Sequence, residues 1–207
     1  MEPFNRCYMG FRSRHAYPML YYMLTNTEFL QRKMAADLGI HFGKTVNDFV
    51  HWLIDLGYIQ RTGTSVRGAR NYQVVNPAGL IGFYAHFRKM QKIDTFVLGN
   101  SREEMINYFA EHGLIFCLTT ALSFHMNYVL DPAINVYLPS EKENLLSDDL
   151  RKQIRGKVTV NVYEYDIPDS GLLTINSKKV TSKMRTIIDL YCDNKAFAAE
   201  ELIKEFE

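Results

Sequence analysis

The stretch from Thr27 to Asn76 restricts this chain more than any other. Two short segments with apolar residues at helical spacing, each closed by a glycine, run into a hairpin rich in Gly and Arg. The first predicted helix covers Glu28 to Leu38, with Asn26 and Thr27 as caps and the Glu28 carboxylate in its first turn. Leu30, Met34 and Leu38 recur at four-residue spacing and face inward, and Gly39 supplies the left-handed stop. The second helix spans roughly Lys44 to Leu56. At about 100° per residue, Val46, Phe49, Val50, Leu53 and Leu56 share one arc of about 120°, and Lys44, Asn47, Asp48, His51 and Asp55 share the opposite one. Gly57 ends that helix, and Tyr58 and Ile59 open a strand. Gly63 to Gly68 turns, Asn71 to Val75 returns, and Pro77 closes the hairpin.

Helix, tight turn, helix, strand, basic loop, strand is the order of a winged helix-turn-helix, which lays one helix in the major groove of DNA with a loop beside it. The outward side chains suit that task. Asn47 can bond adenine through two atoms, Lys44 can reach guanine acceptors, and an acidic group, of which the arc holds Asp48 and Asp55, can accept from cytosine. Thr45 stands at the helix start, within reach of phosphate or base, and His51 lies on the same polar arc. Arg61, Arg67 and Arg70 crowd the hairpin, where no acidic residue falls between Tyr58 and Asn76. Such a tip suits phosphate contacts or arginine insertion into the minor groove. Arg32 and Lys33 of the preceding helix complete the expected DNA-contacting set. Charge agrees: residues 1–92 hold 12 Lys and Arg against 5 Asp and Glu, whereas residues 93–207 hold 12 against 18. Only the first half is built to face a polyanion.

A chain of 207 residues with 47% apolar and 13% aromatic side chains has material for packed cores. It contains no apolar run long enough to span a bilayer, and its first residues, MEPFNRCYMGFRSRH, lack the apolar centre of a signal peptide. Cys7, Cys117 and Cys192 are odd in number and far apart, which favours thiols in a reducing compartment. The expected location is the cytoplasm, with no membrane association.

Tyr17 to Leu24 predicts a buried first helix, and Ala78 to Gln91 a further helix with Leu80, Tyr84 and Phe87 on one side, which most commonly packs against its own chain's core and otherwise serves as a linker or self-association surface. The second half alternates strands and helices. A strand at Ile93 to Leu98 precedes a helix opened by the Ser101/Glu104 capping box and stopped by Gly113. Apolar Leu114 to Leu118 follows, then a small helix near Thr120 to Met126 and a strand at Ile134 to Leu138. A helix near Asp148 to Arg155, a strand at Val158 to Tyr165, and helices near Ser182 to Tyr191 and Lys195 to Phe206 complete the order.

That order is similar to the nucleotidyltransferase fold, where a strand ends in Gly-Ser before a helix and a later strand carries two alternate aspartates for magnesium. Gly99-Asn100-Ser101 matches the first part, but Asn135 and Tyr137 hold the alternate positions and neither supplies the charge. His112, Cys117 and His125 match no common zinc spacing. Ser123 and His125, two apart on one helix, point different ways. Glu141, Glu143, Asp148 and Asp149 read as a solvated loop and helix start, and no Gly-rich phosphate loop is present. No catalytic residue, metal ligand or cofactor is expected.

Taken together, the basic N-terminal half, Cys117 to Pro139, Lys157 to Asp166 and the ending KKVTSKMRTIIDLY with AAEELIKEF resemble the AbiEi-type antitoxins. The resemblance implies an α+β protein: a winged helix-turn-helix over residues 1–91, then a nucleotidyltransferase-like α/β domain without catalytic carboxylates over 92–207. It further implies a transcriptional regulator that represses its own operon by binding inverted repeats in double-stranded DNA, with a nucleotidyltransferase toxin as cognate partner. Two other classes stay open: an interaction module whose winged helix no longer meets DNA, and a nucleotide-handling enzyme using the second domain.

Overall fold

Most of the apolar stripes read from the sequence become helix faces. The computed structural model describes residues 11, 13–64, 70–126, 131–139, 157–166 and 171–206. Within them, eight helices and two sheets make a mixed α+β protein. The chain divides into one unit of Met1–Arg88 with Ile203–Glu207, and a second of Lys89–Leu202. No helix among the described residues is long and apolar enough to cross a membrane.

The first unit runs α1 (Ala16–Thr25), α2 (Gln31–Asp37), α3 (Lys44–Asp55), β1 (Ile59–Thr64), β2 (Arg70–Val74) and α4 (Pro77–Ala85). On α3 the predicted stripe is buried at Val46, Phe49, Val50 and Leu53. Leu56 departs from it and is 40% exposed, because it lies past the last helical residue, where the chain tightens toward Gly57. Gly39 (φ +62°) and Gly57 (φ +76°) take the left-handed conformation that ends each helix. The ring of Phe11 packs 4.9 Å from Phe49, 5.0 Å from Trp52 and 5.1 Å from Phe87.

Several boundaries differ from the sequence reading. Helix α2 starts at Gln31 instead of Glu28, since Phe29 forms a bridge with Tyr72 through two backbone hydrogen bonds of 2.9 and 3.0 Å. The extended backbone this requires excludes a helix there. Asn26 closes α1 by donating to the Tyr22 carbonyl (2.7 Å) instead of capping α2, and Leu30 and Leu38 are half-buried. Pro77 is the first residue of α4, whose Asn76 cap accepts from Gly79 N (2.8 Å). That helix ends at Ala85, short of Gln91, whose carbonyl accepts from Glu164 N at 2.9 Å.

The second unit carries a six-stranded mixed sheet ordered β3-β6-β5-β4-β8-β7. Its strands are β3 (Lys92–Leu98), β4 (Ile115–Phe116), β5 (Ile134–Leu138), β6 (Val158–Glu164), β7 (Leu172–Ile175) and β8 (Lys178–Thr181). The helices are α5 (Arg102–Glu111), α6 (Leu118–His125), α7 (Lys183–Cys192) and α8 (Ala196–Ile203). Met105, Ile106 and Phe109 of α5 share one apolar core with Ile134, Val136, Leu138, Val158, Val160 and Val162. The Ser101/Glu104 capping box forms as read, with bonds of 3.2 and 2.9 Å. The β7–β8 hairpin has no counterpart in the sequence reading. Its two-residue turn, Asn176 (φ 48°) and Ser177 (φ 63°), is left-handed without a glycine, which hid it. The helix expected at Asp148 to Arg155 lies outside the described residues. On the sheet edge, β3 bulges between Lys92 and Asp94, and Asp94 Oδ1 accepts the backbone N–H of Thr95 at 2.8 Å.

Candidate functional site

Helix α3 contacts both α2 and β1, so its amphipathic pattern leaves one face on the core and one free. Lys44, Thr45, Asn47 and Asp48 are exposed on that free face, and His51 is half-buried. No acidic residue sits in the first turn, and the N-cap position is Gly43, which offers no side-chain acceptor. The amide donors of that turn are therefore open to an external acceptor.

Arg32 and Lys33 are exposed on α2. The Arg32 guanidinium lies 5.4 Å from the centre of the Phe42 ring, in the turn before α3, so a charge is held beside that helix start. In the hairpin, Ile59 pairs with Val74 and Arg61 with Tyr72. Because side chains alternate along a strand, Arg61 and Arg70 share the hairpin face of buried Ile59 and Tyr72. Both arginines are exposed. Arg67 lies outside the described residues. Asn71 donates to Glu28 (3.1 Å) and Tyr22 to Asp37 (2.8 Å). Burial, then the Asp37 carboxylate, raise the Tyr22 phenol. The first joins the hairpin to the segment before α2, and the second joins α1 to α2.

No family model, curated protein or solved structure matches the chain.

The second unit holds its own polar cluster, built on a feature the sequence reading passed over. Asn-Val-Tyr occurs twice, at 135–137 on β5 and 161–163 on β6, and the parallel pairing sets Asn135 beside Asn161 and Tyr137 beside Tyr163. Asn161 Nδ2 donates to Asn135 Oδ1 (3.0 Å), and Asn135 Nδ2 donates to Thr119 Oγ1 (2.8 Å). Thr119 donates to Asp131 (2.6 Å), while Lys92 and Thr95 donate to Asn161 Oδ1. Further along the same strands, the fully buried Arg185 guanidinium sits 5.0 Å from the Tyr137 ring centre and 5.2 Å from that of Tyr165. Its Nε is 3.6 Å from Asp189 Oδ2, also fully buried.

Burial, and after it the Asp189 charge, raise the Cys117 thiol well above its ordinary value, so it stays protonated. Burial and Asp193 likewise push the Tyr163 phenol up. Ser101 spends its hydroxyl on the helix cap. His112 Nδ1 lies 2.8 Å from the Tyr108 carbonyl, and His125 Nε2 lies 2.7 Å from that of Thr181. Ser123 donates to the Thr120 carbonyl at 2.7 Å. Among the described residues, no three His, Cys, Asp or Glu side chains gather as a metal site.

Proposed function

We propose that this chain is a non-enzymatic, DNA-binding transcriptional regulator. Its first unit is a winged helix-turn-helix that reads an operator through α3, and its second is a nucleotidyltransferase-like domain serving assembly or antitoxin action. The observation that carries the reading is the free face of α3. Lys44, Thr45, Asn47 and Asp48 stand exposed on a helix with an open N-terminus, next to a hairpin whose arginines share the Ile59 and Tyr72 face. A polar outward face is ordinary for a surface helix, but a groove of base edges and flanking phosphates matches each of these donors and acceptors. The Phe29–Tyr72 bridge adds a third extended segment to the hairpin and supports the winged arrangement. In the second unit, Asn135 and Tyr137 supply no magnesium-binding charge, which supports a role without nucleotidyl transfer.

A mobility-shift titration of the protein on its own upstream DNA, against scrambled competitor at two salt concentrations, tests this. Competitor-resistant binding is the expected result. Binding that is equal on both duplexes and vanishes with salt would reduce the first unit to a basic surface and overturn the reading.

A further inference from the structure

The free face of α3 carries a carboxylate where a helix that binds a polyanion is expected to carry cations. Asp48 is exposed, one turn after Lys44, with exposed Asn47 beside it. Lys44 could in principle neutralise it at i,i+4 spacing, but a cation placed N-terminal to its acid is the weaker order, opposed by the helix dipole. Among the described residues, neither side chain has a hydrogen-bond or ion-pair partner. Next to phosphates a free carboxylate is purely repulsive. Facing a base edge, it is the side chain suited to accept from the amino group of cytosine.

Resting on the DNA-binding reading above, we propose that Asp48 is a specificity-determining residue of α3, which accepts from the amino group of one operator cytosine and repels duplexes lacking that donor. Attraction to the right base and rejection of others then come from one atom pair, the economical form of discrimination. At about 1.5 Å rise per residue, Asp48 stands about 6 Å along the axis from Lys44, near two base-pair steps, so the two read separate base pairs. Asp55 follows on the same line about 10 Å further, past the N-terminal turns that reach base edges.

The test uses the full chain and its Asp48→Ala and Asp48→Asn variants, each selected against a pool of random duplexes and then titrated on the selected and scrambled sites. Wild type is expected to fix cytosine at one position. Asp48→Ala should lose that preference, about 5- to 150-fold, while binding scrambled duplex more tightly. Asp48→Asn should move the preference at that position to adenine, which an amide bonds through N6 and N7. Unchanged melting temperatures exclude misfolding as the cause. Variants that select the wild-type site with cytosine intact would overturn the role of Asp48 alone. A wild-type protein that selects no motif would overturn the DNA-binding reading, and the inference with it.

Discussion

The outward face of α3 and the buried polar face of β5 and β6 use the same kinds of side chain to opposite ends. On α3, Asn47, Lys44 and Asp48 are exposed and turned away from the fold. On the sheet, Asn135 and Asn161 spend their amides on each other and on Thr119, and Lys92 and Thr95 close the chain. Asn135 is fully buried and satisfied; Asn47 is exposed. Buried polar groups that complete one another rigidify a core, whereas aligned exposed ones add nothing to it. The contrast separates residues that hold this protein together from residues free to recognise something else.

The sharpest break in that contrast is Arg185→Ala. It takes the cation away from the fully buried Asp189 carboxylate and from between Tyr137 and Tyr165. A loss of about 3–5 kcal/mol is expected, read as a fall in the urea midpoint. A loss below about 1 kcal/mol would mean that water already reaches the pair. Asn135→Ala leaves Asn161 and Thr119 each short of a partner and should remove about 1–3 kcal/mol, read the same way. Tyr163 adds a pH signature. Its phenol is raised by burial and Asp193, so the folded state holds the proton after the unfolded chain, near pH 10, has released it. That contribution is complete below about pH 10 and fades above it, and Tyr163→Phe should flatten the alkaline loss in denaturation at pH 9 and pH 11. Smallest in stability are Lys44→Ala and Asn47→Ala, expected within about 0.5 kcal/mol of wild type. Each should nonetheless lose about 1–3 kcal/mol of discrimination between operator and scrambled DNA. Arg70→Ala should weaken both duplexes alike and lower the salt slope. Comparable stability losses at Asn47 and Asn135 would erase the distinction.

Local rules made much of this legible in the sequence. Val46, Phe49, Val50 and Leu53 fixed the buried face of α3, Gly57 its end, and Ser101 with Glu104 the start of α5. What escaped depends on partners distant in the chain. Nothing near Phe29 announces that it will pair with Tyr72, 43 positions later, and so delay α2. The doubled Asn-Val-Tyr is visible, but its meaning lies in the parallel register that sets Asn135 beside Asn161. Arg185 and Asp189 read locally as an ordinary helical pair, and only the sheet above them makes that pair buried. Candidate interface residues were legible for the opposite reason: exposed side chains on one helix face answer to helical spacing alone.

The Asp94 carboxylate has a further consequence, felt between molecules. A sheet that ends in an unpaired strand invites the same strand of another chain to add to it, and strand upon strand leads to fibres or precipitate. Here the bulge at Lys92 and Asp94 interrupts the outer rail, and Thr95 already gives its N–H to Asp94. An incoming chain would have to displace that carboxylate to reach the Thr95 N–H. Crowding at high concentration thus meets a guarded edge, and the side chain that guards it sits on the strand it protects.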